Sequence, residues 1–159
     1  MINRITPNIV TEIKPGQILV FGGNSEGRHK KGLALFALQK CGAILGQSKG
    51  LQGQSYAIIT KKNWWQKRSS TLNEIQIEIL DLVLFAMEHP ELTFIVPKIG
   101  TENAGYSIEE IAPLFIDCIH QRNIHLPVKF WDILNEMNCP FEEPTEGEIQ
   151  SAKKLMRIC

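Results

Sequence analysis

Residues 17–21 (QILVF) begin with one polar side chain, Gln17, and continue with four apolar, β-forming residues. Pro15-Gly16 precedes the run and Gly22-Gly23 follows it, so turn-forming residues bound it on both sides. A continuous apolar run, rather than an alternating one, indicates a strand buried on both faces, as in the centre of an α/β sheet. The sequence therefore predicts a central strand that ends at Phe21, with the two glycines starting a loop.

Strand and helix patterns alternate along the rest of the chain. An apolar pattern with helical spacing covers residues 31–40 and stops before Gly42, which can adopt the left-handed conformation of a helix C-cap. Two more β-rich runs follow at residues 55–60 and 93–97. This alternation predicts an α/β fold of three layers, in which helices cover both faces of a central sheet.

Two capping boxes mark the starts of further helices. The side chains of Thr71 and Glu74 can each accept a hydrogen bond from the backbone amide of the other residue, as at the start of a helix. The apolar pattern of this helix ends near His89-Pro90. Ser107 and Glu110 repeat the same spacing before another apolar run. We therefore expect helices to begin after Thr71 and after Ser107.

The C-terminal third of the sequence is less regular. Pro113 lies past the first turn of the second capped helix and should kink it or make it restart. Residues 125–130 are predicted to form an edge strand, because Pro127 cannot donate a hydrogen bond to a neighbouring strand. We expect one domain over residues 1–140 and a C-terminal extension, residues 141–159, with a short amphipathic helical pattern.

The composition excludes several classes of function. Lys and Arg number 17, and Asp and Glu also number 17, so the formal net charge is zero and nucleic acid is not an expected partner. No apolar stretch approaches the ~18 residues needed to cross a membrane. The N-terminus lacks the apolar core of a signal peptide, so a cytoplasmic protein is expected.

Metal and cofactor sites are not predicted either. The cysteines form no CxxC pair and the histidines form no HExxH pattern. Because no secretion signal is visible, the cysteines are expected to be free thiols in a reducing cytoplasm. The residues concerned are Cys41, Cys118, Cys139 and Cys159, and His29, His89, His120 and His125.

Two glycine-containing loops each lead from a predicted strand to a predicted helix, at residues 22–29 (GGNSEGRH) and 99–106 (IGTENAGY). Ligands of α/β sheets bind at the carboxyl ends of the strands, and glycines there let backbone amides approach a phosphate closely. Either loop alone could be an ordinary connection whose glycines supply turns. Two such loops at one sheet edge predict a site that holds a diphosphate from both sides.

Two further motifs were considered as functional sites. Residues 46–50 (GQSKG) match the GxSxG nucleophile pattern, but that motif needs a strand before it and a helix after it, which is the reverse of the order here. We interpret this match as coincidental. Trp64 and Trp65, close to several lysines and Arg68, could stack a base and hold phosphates. The alternative, which we favour, is that one tryptophan packs on the core while the charges are solvated.

The order and spacing of several short motifs resemble the macrodomain superfamily, whose α/β/α domains bind ADP-ribose. The similarity covers residues 18–115 and is greatest to the branch containing the terminal ADP-ribose protein glycohydrolase and its bacterial and phage relatives. Gly32-Leu33-Ala34 resembles the start of that branch's first helix, and residues 56–62 (YAIITKK) resemble one of its strands. Pro97-Lys98-Ile99-Gly100 resembles the entry to its phosphate loop.

The resemblance implies a mixed central sheet, with ADP-ribose in a cleft between the two glycine loops. In the glycohydrolase branch a lysine attacks the opened ribose and an aspartate acts as acid and base. The lysine falls on Lys61, whereas the aspartate falls on Ala104, close to Glu102. The candidate catalytic residues are therefore Lys61 and Glu102. The candidate ligand-binding residues are Gly22, Gly23, Asn24, His29, Gly32, Leu33, Thr60, Gly100, Thr101, Asn103, Gly105 and Tyr106.

Three functions are consistent with these observations. The first is a binder of ADP-ribose or a related nucleotide diphosphate that needs no cofactor. The second is an ADP-ribosyl glycohydrolase that uses Lys61, and the third is a protein-interaction module that kept the fold and lost the ligand. The alanine at position 104 favours the first over the second. A Rossmann-like nucleotide binder is the alternative fold, and the oligomeric state is left open.

Overall fold

A computed structural model describes residues 4–137 of the chain. The predicted C-terminal extension and the domain boundary at residue 140 lie outside the described residues. The strands are β1 (Ile5–Thr6), β2 (Gln17–Asn24), β3 (Gly50–Gln52), β4 (Ser55–Lys61), β5 (Thr93–Ile95) and β6 (Ile124–Pro127). The helices are α1 (Gly32–Lys40), α2 (Leu72–Glu88), α3 (Ile108–Ile111) and α4 (Val128–Met137), and a 3₁₀ helix, Ala112–Cys118, follows α3 directly.

The strands form one sheet in the order β1-β6-β5-β2-β4-β3. Four neighbouring pairs in this order, β1–β6, β6–β5, β5–β2 and β2–β4, are parallel. The last pair is antiparallel, because β3 runs opposite to β4 at the edge of the sheet. The sheet is therefore mixed, as the sequence resemblance implies. Because the parallel strands all run in one direction, their carboxyl ends meet along one side of the sheet.

Alternate residues of β2 pack into two cores on opposite faces of the sheet. Ile18 and Val20 lie in the larger core, with residues of α2, the 3₁₀ helix and α4. Leu19 and Phe21 lie in the smaller core, with residues of α1. All four side chains are at most 4% exposed. The prediction of a strand buried on both faces is confirmed, and so is the three-layer α/β/α arrangement.

The predicted helix starts are also confirmed. Thr71 and Glu74 exchange hydrogen bonds between their side chains and backbone amides, both at 3.1 Å, and Ser107 and Glu110 do the same. After a single turn of α3 the chain continues as the 3₁₀ helix, which has Pro113 in its first turn. Proline lacks the amide hydrogen that would continue the α-helical pattern, which accounts for the restart.

The prediction that β2 ends at Phe21 is wrong. The strand continues to Asn24, because Gly22 and Gly23 still pair with residues of β4. Gly22 is required for close packing, since a Cβ atom there would lie only 2.9 Å from the Oγ1 of Thr60. The register of the ladder shifts after Gly23, and the loop towards α1 begins there.

The prediction of an edge strand at residues 125–130 is wrong as well. β6 lies between β1 and β5, and Phe130 belongs to α4. Pro127 is tolerated in β6 because it is the last residue of the strand, where the pairing with Thr6 ends. The strands β1 and β3 have two and three residues, too few for a recognisable pattern in the sequence.

Arg4 joins the start of β1 to segments 114 to 120 residues later in the chain. Its guanidinium donates to the carbonyl oxygens of Cys118 at 2.9 Å, Ile119 at 3.0 Å and Ile124 at 3.1 Å. It also lies 4.9 Å from the ring centroid of Trp131, whose indole N–H donates to the Arg4 carbonyl at 2.7 Å. These contacts hold β1 beside β6.

Replacing Arg4 by methionine should lower the free energy of unfolding by about 2–3 kcal/mol, because three carbonyl groups lose a charged donor. Arg122→Met provides a matched control at an exposed arginine and should change stability by less than about 0.5 kcal/mol. Urea denaturation followed by circular dichroism measures both values. Equal stabilities of the two variants would show that the Arg4 contacts do not hold the fold together.

Candidate functional site

A cleft lies where the parallel strands end. It has two adjoining lobes with cavity volumes of about 230 Å³ and 220 Å³. The first lobe extends beyond β4 to Trp64, and the second extends to Pro127 at the end of β6. The residues that line both lobes are Gly22, Lys31, Ala34, Thr60 and Asn103.

Most of the residues that the sequence singled out lie together in this cleft. The first lobe is lined by Gly22, Gly23, Asn24, His29, Thr60, Lys61 and Asn103. The second lobe is lined by Gly22, Gly32, Leu33, Thr60, Gly100, Glu102 and Asn103. Lys61 and Glu102, the two candidate catalytic residues, therefore line different lobes. Three other candidates, Thr101, Gly105 and Tyr106, do not line the cleft.

These three residues shape the second glycine loop instead. The Thr101 hydroxyl donates to the carbonyl oxygen of Lys98, just before the loop, at 2.7 Å. The Tyr106 side chain is 8% exposed, and its hydroxyl donates to the carbonyl oxygen of Ser70. The Gly105 carbonyl accepts a hydrogen bond from the Arg68 guanidinium at 3.1 Å. The loop is thereby attached to the segment that joins β4 to α2.

Asn24 organises the first glycine loop. Its side-chain oxygen accepts hydrogen bonds from the backbone amides of Glu26 at 3.0 Å and Arg28 at 3.3 Å. An Asx turn of this kind closes the chain tightly at the end of a strand. The loop therefore uses the oxygen of this side chain, and Asn24 itself lines the first lobe.

His29 holds the same loop against the sheet. The side chain is 1% exposed, its Nε2–H donates to the Gln47 carbonyl at 3.0 Å, and its ring meets that of Phe21 edge-on at 5.1 Å. These contacts keep the backbone of His29 in the left-handed region, at φ +48°, where a residue other than glycine is strained. Its Nδ1 has no hydrogen-bond partner among the described residues.

The prediction that one tryptophan packs on the core is wrong. Trp64 is 45% exposed and Trp65 is 64% exposed. Trp64 is held at the cleft by polar contacts: the Lys61 ammonium donates to its carbonyl oxygen at 2.9 Å, and the Arg28 guanidinium lies 4.4 Å from its ring centroid. Trp64 lines the first lobe, whereas Trp65 does not.

Lys61 occupies an electropositive, partly buried position. Burial lowers the pKa of its amine below the ordinary value, and the charges of Lys31 and Lys67 lower it further. A lower pKa increases the neutral, nucleophilic fraction at any given pH. Among the described residues that line the first lobe there is no carboxylate to exchange protons with this amine. Ala104, which is 2% exposed, lines the second lobe.

The cleft carries an excess of positive charge. Against the single carboxylate of Glu102, five cations line the described walls of the two lobes. Three of them lie close together at the end of the first glycine loop and directly after it, where only the glycines, Asn24 and His29 were predicted to bind a ligand. The run Arg28-His29-Lys30-Lys31 was the signal that could have identified them. The cations are Arg28, Lys30, Lys31, Lys61 and Lys98.

Comparison with known proteins identifies the fold. No family model and no curated protein matches the sequence. Among solved structures, the macrodomain of Mycobacterium tuberculosis DarG superposes with a TM-score of 0.57 at 21% identity, covering 77% of this chain and 95% of that one. The chain has a macrodomain fold. A protein of unknown function from Bacteroides thetaiotaomicron superposes with a TM-score of 0.54 at 16% identity, covering 77% and 93%.

The macrodomain fold replaces the Rossmann-like alternative that the glycines after β2 left open. In this fold the observed cleft lies between the loop that follows β2 and the loop that follows β5. Over residues 4–137, none of the helices is both long and apolar enough to span a bilayer. The same residues contain no group of three His, Cys, Asp or Glu side chains arranged to hold a metal ion.

The amine of Lys61 should lose its proton at a lower pH than an ordinary lysine. Mass spectrometry after brief labelling with an amine-selective reagent, repeated across a pH series, measures this midpoint. Lys31→Ala removes a neighbouring positive charge and should move the midpoint upwards, because a like charge disfavours the protonated form. Lys40→Ala, at the opposite end of α1, should leave it unchanged. A midpoint at the ordinary lysine value in the unmodified protein would contradict the assigned environment.

Proposed function

We propose that the cleft binds ADP-ribose or a related nucleotide diphosphate. The macrodomain fold supports this proposal, since the solved structure with a TM-score of 0.57 is itself a macrodomain. The observation that carries it is the combination of two loops at one cleft with five cations facing a single carboxylate. A diphosphate carries the negative charge that such a site attracts, and a low-dielectric wall strengthens that attraction.

The start of α1 offers a second element for anion binding. The N-cap residue of this helix is Lys31, which has no side-chain acceptor for the first backbone amides, and the first turn contains no acidic residue. In contrast, α2 and α3 both begin with a capping box. At Gly32 and Leu33, which line the second lobe, the first amides of the helix and the positive end of its dipole therefore have no capping side chain among residues 4–137. A phosphate group would satisfy them.

Glycohydrolase activity is the alternative function, and the lowered pKa of Lys61 is the observation in its favour. Nucleophilic attack by a lysine on an opened ribose requires a neutral amine, and release of the product requires a group that transfers protons. Ala104 cannot transfer protons, and Glu102 lines the other lobe. We therefore favour a binding protein, such as a reader of ADP-ribose, over an enzyme.

ADP-ribose should bind with a dissociation constant of roughly 1 μM, or about −8 kcal/mol, in calorimetric titration. Gly32→Glu should abolish this binding, because the added carboxylate would stand at the amides proposed to hold a phosphate. The position has room for a side chain: a Cβ atom would have only the Asn103 amide within 4 Å, at 3.9 Å. The backbone φ of +56° adds some strain to this variant.

Gly16→Glu is a matched control for that strain and charge. Gly16 has φ +80° and open space around it, and it precedes β2 at the end opposite the cleft. This variant should bind ADP-ribose like the unmodified protein. Absence of heat and of a thermal shift at millimolar ADP-ribose in the unmodified protein would refute the proposed function. Unchanged binding by a folded Gly32→Glu variant would place the phosphates elsewhere.

Little or no turnover is expected on a protein ADP-ribosylated at glutamate. The most that the first lobe supports is a slow covalent adduct, in which the Lys61 amine bonds to the anomeric carbon of the ribose and the glutamate carboxylate leaves from it. Release of the ribose from Lys61 would then need a proton-transfer partner, which the described lining of this lobe lacks. Intact-mass spectrometry after incubation detects such an adduct, and Lys61→Ala should remove it. Multiple-turnover release of ADP-ribose by the unmodified protein would instead establish the glycohydrolase alternative and direct attention to Glu102.

A further inference from the structure

The outer face of α2 carries an apolar stripe that no part of residues 4–137 covers. Its four side chains are 39% to 60% exposed, although the opposite face of the same helix is buried in the larger core. A contiguous exposed apolar surface of this kind marks a contact with a partner. None of the four lines the cleft, so the proposed function does not account for them. The stripe consists of Ile77, Leu80, Leu84 and Met87.

The charges of α2 lie along one side of this stripe. The helix contains four carboxylates and neither lysine nor arginine. Asp81 and Glu88 each directly follow a member of the stripe and are seven residues apart, so they lie on the same side of it. Glu74, one heptad earlier on that side, pairs with Lys62 at 2.6 Å. Asp81 and Glu88 have no ion-pair partner within residues 4–137.

Residues 149–159 of the predicted C-terminal extension repeat this pattern with the opposite charge. The members of the α2 stripe are separated by three, four and three residues, the spacing of helices that pair along an apolar seam. The segment has four apolar residues with the same separations, and Lys153 directly follows the second of them, as Asp81 does in α2. It also contains Lys154 and Arg157 but no acidic residue. The four apolar residues are Ile149, Ala152, Met156 and Cys159.

The connecting chain is long enough to bring this segment to α2. Helices α2 and α4 pack on the same core, and the 3₁₀ helix contacts both. Packed helices lie about 8–10 Å apart, so at most about 20 Å separates α2 from α4. The 11 residues between Met137, where α4 ends, and Ile149 span up to about 35 Å when extended.

We propose that residues 149–159 dock on the apolar stripe of α2 as a helix that runs antiparallel to it. An isolated helix of this length is marginal in water, and burial of its apolar side supplies the missing stability. The charged side lies in the same rotational direction from the stripe in both segments. Two facing helices bring such sides together only when they run in opposite directions, which places Lys153 beside Asp81.

A second copy of the chain suits the stripe less well. Two α2 helices packed antiparallel would set Asp81 and Glu88 of one copy against the same carboxylates of the other, and like charges in contact oppose association. Four side chains on one helix also offer far less than the roughly 800 Å² per partner of a stable interface. A segment joined to the domain needs less area, because its attachment raises its effective concentration.

Disulfide formation in the full chain tests the docking and its direction. In the antiparallel arrangement Cys159 lies at the Ile77 end of the stripe and far from Met87. In a Cys139→Ser background, Ile77→Cys should therefore form an intramolecular disulfide with Cys159 in a glutathione buffer. Its effective concentration should be at least about 10-fold that of Met87→Cys.

The two variants are closely matched. Ile77 is 60% exposed and Met87 59%, so neither substitution disturbs the core. The native thiols of Cys41 and Cys118 are buried and do not compete. Peptide mass spectrometry identifies and quantifies the disulfide, and circular dichroism checks that both variants fold.

An exchange of charges provides a second measurement. In the Ile77→Cys chain, Asp81→Lys should lower the effective concentration of the disulfide by about 2- to 5-fold, the value of an exposed ion pair. Adding Lys153→Asp to that chain should restore it, because the pair is re-formed with its charges reversed. A loss without recovery would contradict the pairing of Lys153 with Asp81.

The other outcomes overturn the proposal in distinct ways. Equal effective concentrations for Ile77→Cys and Met87→Cys would mean that the segment does not dock and that another protein covers the stripe. A higher value for Met87→Cys would reverse the direction of docking. Disulfides between chains, with a dimer mass in light scattering, would assign the stripe to a second copy. None of these results bears on ADP-ribose binding, since the stripe lies outside the cleft.

Discussion

A Cβ atom at Gly22 would lie 2.9 Å from the hydroxyl oxygen of Thr60, closer than real Cβ atoms approach. The absence of that atom lets β2 and β4 stay paired up to the edge of the cleft, where both residues line both lobes. Any side chain at Gly22 would push Thr60 outwards and occupy the floor between the lobes. This contact sets where β2 and β4 end. It therefore positions the first glycine loop, which follows β2, and Lys61 at the end of β4, after which the segment with Trp64 begins.

The elements with strong local signals could be predicted from the sequence. The apolar run at residues 17–21 marked the central strand, and the side chains of Thr71 and Ser107 marked two helix starts, because these signals depend only on neighbouring residues. The positions of β1, β3 and β6 in the sheet could not be predicted, because they depend on pairing between distant segments. β1 has two residues and pairs with a strand some 120 residues later, so periodicity carries no information about it.

The candidate site was predictable to a similar extent and for a similar reason. Glycines and Asn24 at strand ends pointed to the cleft, since strand ends define the binding edge of an α/β sheet. The place of Trp64 at the cleft could not be anticipated, because the side chain contacts Arg28, which lies in another loop, rather than the core. In the same way, Tyr106 was assigned to the ligand by its place in a glycine loop, whereas its hydroxyl is committed to the carbonyl of Ser70.

The contact between Arg4 and the end of the 3₁₀ helix also has a consequence for the order of folding. β1 can pair only after β6 exists, so on the ribosome it waits until some 120 further residues have been synthesised before it finds its place. Parallel pairing across such a separation carries a large loop-closure entropy and slows folding. Because β1 is only two residues long, we expect it to detach and reattach as a unit of its own, with amide exchange there faster than in β2. The β1 side of the sheet, next to the second lobe, is thus the part of the domain that completes last and opens first.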